Sequence, residues 1–383
     1  MRISRPIKLG AALAAASLPY LSVADICEAE YPEYLLVYKP EDLEIIGRDC
    51  TTIIGDLGFN DTWSGPFILP GVENITGTIR VERWQQGRVR QPNVTRVELP
   101  DLKYIYEMDF LFSPAVNVSA PKLESARGIW LGQEAHGSEA HFPALREVEW
   151  LGFRGNYSRT EVPVLKRADY LDICSFGNNC GFGVDEGPGP SIIDPLKITL
   201  PALESVGELI IGGKTASISA PKLTNVSESA KFQLPDSAAS LDFPELNHVA
   251  HSLEVEGAIA RIHVPSLHNT TASVKVSSTT PLNISLPLAG NPRFLGFFGE
   301  IAGLSLPNLT DFQNLQIHSD LPLDCGPLDE KFEPIVEEIV ETEWAREGRY
   351  QCNSTALGGG SRAMKPVFAG VVAAGIGAGL VLW

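Results

Sequence analysis

Ser119-Ala-Pro-Lys-Leu123 returns as Ser219-Ala-Pro-Lys-Leu223, and around both copies the same punctuation repeats. A Pro is followed two residues later by an apolar residue at Pro70, Pro100, Pro121, Pro143, Pro163, Pro201, Pro221, Pro244, Pro265 and Pro307; the partner is Val72 in the first case and Leu in the other nine. From Pro100 to Pro163 the steps are 21, 22 and 20 residues, and from Pro201 to Pro265 they are 20, 23 and 21. A unit this short cannot bury a core of its own, so neighbouring units must stack into a solenoid. The residue before Pro runs Leu99, Ala120, Phe142, Val162 and then Leu200, Ala220, Phe243, Val264, which reads as a duplicated block of four coils.

Between the Pro-x-Leu units lie short runs of strand composition, such as Leu209-Ile-Ile211, Ala216-Ser-Ile218 and Val274-Lys-Val276. Each coil then supplies one or two short strands paired in parallel with those of its neighbours. Pro fits a strand start or a corner, where no ladder N–H is required. The expected fold is mainly β: a right-handed parallel β-helix-like or leucine-rich-repeat-like solenoid of about eleven coils of 20–23 residues. A horseshoe needs a helix-length segment in each repeat and none is visible, so the β-helix form is preferred. At about 4.8 Å per coil the rod would be roughly 50 Å long.

Both ends of the chain read as addresses. Residues 1–24 have a basic start (Arg2, Arg5, Lys8), an apolar stretch from Leu9 to Leu21 and small residues at Ser22-Val-Ala24, the layout of a signal peptide. Val367 to Trp383 is free of charge, and small residues and a polar spacer precede it, the pattern of GPI attachment. Asn353 and Gly358 are the candidate attachment residues, and the sequence does not separate them. A tail-anchored helix is the competing reading of the last 17 residues, and a thin one. The resulting division is a signal peptide at 1–24, an N-terminal cap at 25–68, the solenoid at 69–324, a second cap at 325–352, an attachment region at 353–366 and a tail at 367–383. The solenoid holds duplicated blocks at about 99–170 and 200–270, separated by an insertion at 171–199.

Composition agrees with secretion. Ten of the fifteen Asn residues lie in Asn-x-Ser/Thr: Asn60, Asn74, Asn93, Asn117, Asn156, Asn225, Asn269, Asn283, Asn308 and Asn353. The six Cys suit an oxidising compartment, and linear proximity favours Cys27–Cys50, Cys174–Cys180 and Cys325–Cys352. The first and last pairs would staple the two ends of the rod. A helix around Pro334 to Arg346, with Ile335, Ile339, Val340 and Trp344 on one face, would cap the last coil.

The search for chemistry returns little. The sequence contains no His-Glu-x-x-His, no Gly-x-Ser-x-Gly and no phosphate-cradling glycine loop. His248-Val-Ala-His251 lacks a third metal ligand nearby, so no metal, cofactor or catalytic residue is assigned. Asp169 and Asp172 are the nearest approach to the paired carboxylates of a polysaccharide-cleaving β-helix enzyme. The loops at 77–98, rich in Arg with Trp84, and at 171–199 are candidate contacts for a peptide or glycan ligand. A net charge of −17 argues against nucleic acid as a partner.

The signal peptide, the Cys-flanked entry Cys50-Thr-Thr-Ile-Ile-Gly-Asp-Leu57, the Pro-x-Leu coils and the last Cys pair before a GPI-type tail together resemble the fungal GPI-anchored cell-wall organisation proteins. Those proteins carry leucine-rich repeats of the receptor L-domain type. The resemblance implies a non-enzymatic glycoprotein of the cell surface, held in the outer leaflet of the plasma membrane by a GPI lipid and needed for wall organisation or integrity. Wall glucan or other wall glycoproteins would be its partners. Many relatives carry a long Ser/Thr-rich stalk. Here Cys352 is almost at the attachment region, so the domain would sit close to the membrane.

Overall fold

The computed structural model describes residues 26–29, 35–60, 62–82, 92–112, 115–175, 194–268, 273–339 and 349–355. The expected signal peptide, the GPI-type tail with Gly358, Cys180 and Asn269 lie outside these residues. Among the described residues no helix is long and apolar enough to cross a membrane.

The described chain is a parallel β-solenoid of about twelve turns, with a disulfide near each end and a C-terminal helix. All the strand pairings are parallel, and each strand pairs with those about one coil before and after it. The coil that begins at Pro143 shows how the sequence builds the unit. Leu145 N–H donates to the Phe142 carbonyl at 3.3 Å, so Pro143 occupies the second position of a β-turn, which its fixed φ favours. The same bond closes the turns at Leu102, Leu123, Leu165, Leu203, Leu223, Leu246, Leu267 and Leu309. Arg146 N–H then reaches back to the Glu124 carbonyl at 2.9 Å and locks the turn onto the preceding coil.

From there the strand Glu147–Glu161 runs round the coil, with Val148, Leu151, Phe153 and Tyr157 turned inward and buried. Inward residues therefore stack by type along the axis. One ladder aligns Met108, Ile129, Leu151, Leu171 and Leu209, and the next aligns Phe110, Leu131, Phe153, Ile173 and Ile211. The strand bends at a corner after this sheet, where Gly257 and Gly299 have φ of 119° and 84°. A Cβ at either would stand 2.2 Å from a carbonyl oxygen of the neighbouring coil, so glycine is required there. On other coils a buried Ser takes the corner. Ser319 Oγ is 2.8 Å from the Ile301 carbonyl and accepts the Leu321 N–H at 3.0 Å.

Two details of the sequence reading change. Leu286 N–H donates to the Ser305 carbonyl just as Leu200 N–H does to that of Ser219, so Pro287 begins a further coil between Pro265 and Pro307. Pro287 is followed directly by Leu288, which hid it from the Pro-x-Leu pattern and left the count at eleven. The C-terminal helix is Gly326–Ile339, so it begins eight residues before Pro334, which lies inside it. Leu328, Phe332 and Val336 form its buried stripe, and this packing carries the helix past the proline.

The ends are closed as the cysteine spacing predicts. Cys325–Cys352 ties the start of this helix to the last strand, Tyr350–Ser354. Phe332 packs edge-on against Phe312 with centroids 5.5 Å apart, and Lys331 Nζ donates to the Leu306 and Pro307 carbonyls at 2.6 and 3.0 Å. Cys27–Cys50 staples the other end, next to a helix the sequence reading did not predict, Pro40–Asp49. It starts on Pro40, carries Glu41 and Asp42 in its first turn, and buries Leu43 and Ile46.

Candidate functional site

The sheet whose inner side carries the Met108 and Phe110 ladders, the middle sheet below, presents outward columns that run parallel to the solenoid axis. In the first block these columns hold a concentration of aromatic and charged side chains. The ladder register places Glu107, Gly128, Trp150, Tyr170 and Glu208 in one column. Asp109, Trp130, Gly152, Asp172 and Ile210 form the next. Leu111, Gly132, Arg154, Cys174 and Gly212 form the third.

Large residues and glycines interlock in this grid. A Cβ on Gly152 would lie 2.3 Å from Trp130 Cε3 and 2.4 Å from Cζ3, so the indole lies down on the bare backbone of the next coil. Trp150 approaches Gly128 from the other side, with Cε3 at 3.5 Å from the equivalent position. Trp130 and Tyr170 stand 5.9 Å apart at 42°, and all three rings, with Tyr106, are half-buried.

Two arginines hold the rings. The Arg127 guanidinium lies 4.8 Å from the Tyr106 ring centroid and 4.7 Å from that of Trp150, and its Nε donates to Glu149 at 3.0 Å. Arg154 lies 5.3 Å from the Trp130 ring centroid and donates through Nε to Asp172 at 2.8 Å. The Asp172 side chain is 2 % exposed and also accepts the Tyr170 hydroxyl at 3.2 Å. Burial raises the Asp172 carboxyl above its ordinary value, with Arg154 and the Tyr170 hydroxyl pulling the other way. Burial also raises Glu107, with Asp109 adding to the effect, and raises the Tyr170 hydroxyl beside Asp172.

The second block has the same interior with a different exterior. Along the ladder, the column of Trp130 and Asp172 continues through Ile210 into Lys231, Glu254 and Lys275. The column of Trp150 and Tyr170 continues on later coils as Ser229, Ser252 and Ser273 and then reaches Phe294, with Phe298 two columns away on the same strand. The repeat therefore does not require aromatic residues on this sheet.

The sequence-predicted residues fall as follows. Asp172 is a buried ion-pair partner and Asp169 is exposed, so the two do not form an exposed pair in one environment. Cys174 is disulfide-bonded, and its expected partner Cys180 lies outside the described residues. Most of the insertion at 171–199 and residues 83–91 of the Arg-rich loop also lie outside them. Arg80 and Arg96 lie on strands and pair with Asp56 and Glu98, both at 3.1 Å. Among the described residues no three His, Cys, Asp or Glu side chains are grouped to hold a metal ion, and His248 and His251 stay a pair.

Five sequon residues, Asn93, Asn117, Asn283, Asn308 and Asn353, are exposed, while Asn60, Asn74 and Asn225 are half-buried. Asn156 follows Gly155 at the corner of the aromatic sheet. Asn60 and Asn353 pair with Glu82 and His318 on coils near the ends of the sheet, and Asn74 and Asn225 lie on the ladder of Tyr104, Ser125, Glu147, Arg167 and Ser205 where its strands begin. Followed from Thr78 to His318, the described positions of the three outward columns themselves carry none. The aromatic columns are what sequence reasoning missed. Their signal is Trp-Leu-Gly, which occurs at Trp130–Gly132 and again one coil later at Trp150–Gly152. The second copy is shifted two positions along its strand, and this shift lets each Trp meet a Gly.

No family model, curated protein or solved structure matches the chain.

Proposed function

We propose that the chain is a non-enzymatic, GPI-anchored glycoprotein of the cell surface that acts in organising a fungal cell wall. One observation carries the reading: a solenoid stapled near both ends, with three outward columns that carry no sequon from Thr78 to His318 in a chain with ten. On such a rod, glycans would leave these columns free to meet a partner. The signal-peptide layout, the charge-free terminal stretch and the resemblance in layout support the setting at the outer leaflet.

The test is fractionation together with deletion. An epitope-tagged chain, with the tag after Ala24, should leave membranes on treatment with phosphatidylinositol-specific phospholipase C. Deletion should raise sensitivity to wall-perturbing dyes and osmotic stress. Protein that resists both the phospholipase and glucanase, or a deletion strain with normal wall resistance, would overturn the reading. A second reading, a surface ligand-binding module, is favoured by the aromatic columns. Here the contacts come from the rigid sheet rather than from the loops at 77–98 and 171–199.

A further inference from the structure

We infer that the Trp130–Trp150–Tyr170 face is a binding site for a neutral, extended pyranose chain. This rests on the wall-surface reading for its setting and names the partner chemistry within it.

The first argument is shape. A pyranose ring has an apolar face of C–H bonds and a rim of hydroxyls, so it is matched by an aromatic ring set among hydrogen-bonding groups. Trp130 and Trp150 lie against glycine backbone on neighbouring coils, so their rings are braced by the sheet. Fixing them before binding removes the ordering cost that a mobile side chain would pay. Glu107, Asp109, Arg154 and the Tyr170 hydroxyl surround them in adjacent columns. The rows advance by about 4.8 Å per coil, a step of the same order as the residue repeat of an extended pyranose chain. Successive sugars can therefore meet successive coils along the rod.

The second argument is charge. Each guanidinium on this face already has a carboxylate: Arg127 has Glu149 and Arg154 has Asp172. The chain as a whole carries a net charge of −17. A polyanion would face that net charge without an unneutralised arginine to draw it in, and a polycation would find the first block's acids partly paired. A neutral polyhydroxylated ligand loses nothing to either.

The third argument is access. The described positions of the three outward columns carry no sequon from Thr78 to His318, although ten sequons occur in the chain. The second block shows that the interior repeat is built equally well over Lys231, Ser252, Glu254, Ser273 and Lys275. The run of indoles and Tyr170 is therefore a property of the first block; aromatic rings return on this sheet at Phe294 and Phe298, which flank Gly296 on a later coil.

The experiment uses full-length protein in detergent. It measures equilibrium binding of soluble β-1,3-gluco-, chito- and manno-oligosaccharides by tryptophan fluorescence and calorimetry. Wild type should bind one of these neutral series, more tightly as chain length grows. Trp130→Ala and Trp150→Ala should each weaken binding about tenfold, the scale of losing one ring contact. Lys231→Ala, on the same sheet in the second block, should bind as wild type does. Circular dichroism and thermal melts of each variant separate lost binding from lost folding. Unchanged affinity in both Trp variants would overturn the site. Binding of a sulfated polysaccharide, or of a protein, in preference to every neutral series would overturn the ligand class. Neither result touches the wall role, which the deletion phenotype decides separately.

Discussion

Gly152→Ala adds one methyl group where the Trp130 ring rests. The new Cβ would sit 2.3 Å from Cε3, 2.4 Å from Cζ3 and 3.2 Å from Cδ2. Carbon contacts are comfortable only from about 3.5 Å, so the ring must withdraw by about 1 Å. Arg154 lies over that ring and is bound to buried Asp172, so it resists the shift. Overpacking of this kind costs about 1–3 kcal/mol. The loss of glycine's freedom in the unfolded chain returns about 0.4–1 kcal/mol, because Gly152 lies outside the left-handed region where alanine is strained. The expected net loss is about 1 kcal/mol by urea denaturation, with a changed near-UV circular dichroism spectrum and several-fold weaker oligosaccharide binding. Gly128→Ala is the internal control. Its Cβ meets Glu107 Cγ at 3.3 Å and Trp150 Cε3 at 3.5 Å, contacts that small side-chain movements relieve. It should lie within about 0.5 kcal/mol of wild type. If the two variants prove equally stable and bind equally well, the ring does not rest on Gly152 and the platform argument fails.

Leu145 is fully buried in the Pro-x-Leu column between hydrogen-bonded coils that cannot collapse around a cavity, so Leu145→Ala should cost about 3 kcal/mol in urea denaturation; a loss below about 1 kcal/mol would mean the column is loosely packed. The Lys122 ammonium and the Gly71 N–H lower the pKa of Asp101, which therefore contributes stability above its unfolded pKa of about 3.9 and loses it as pH falls through the lower folded value. With the Asp101 side chain 34 % exposed, Asp101→Asn should cost no more than about 0.5 kcal/mol at pH 7, and the deficit should vanish in melts at acid pH below the folded value. Cys325→Ser should raise hydrogen exchange in Gly326–Ile339 and Tyr350–Ser354 while leaving the central coils protected, because a solenoid passes stability only between neighbours. Uniformly raised exchange would show a single cooperative unit instead.

The interior of this fold is legible because its signal is local. Proline fixes one turn, the leucine two residues on points inward, and the pair recurs at the coil length. The failures share a physical cause. Pro287 escaped because its coil places Leu288 one residue early, and the turn is revealed by the hydrogen bonds from Leu286 N–H to the Ser305 carbonyl and from Ala289 N–H to the His268 carbonyl. Pro334 looked like a helix start because proline favours the first turn, whereas Pro327, one residue into the helix, holds that place. Pro40–Asp49 is ten residues long and closes one end of the core with two buried apolar side chains, too little for a periodic pattern to stand out. The aromatic face was harder still. Trp130, Trp150 and Tyr170 are about twenty residues apart, and they meet only once the register between coils is known.

That difference separates what the repeat does from what the protein does. The two blocks share Leu, Ala, Phe and Val before their prolines, and the inward ladders run through both without a break. The demands of stacking fix those positions, and they would be the same in a rod with any role or none. Outward positions escape that demand, since a side chain there meets only its lateral neighbours and water. Lys231, Glu254 and Lys275 alternate in sign along the second block, which is how a solvated ladder keeps like charges apart. Had the first block been under the same demand alone, its columns would be expected to look similar. Instead it sets two indoles against glycines and neutralises its arginines internally. Each glycine also forgoes the side chain that favours a strand, a cost of about 0.5–1 kcal/mol per position. Stacking alone requires neither choice, whereas a flat ligand seated along the first block accounts for both.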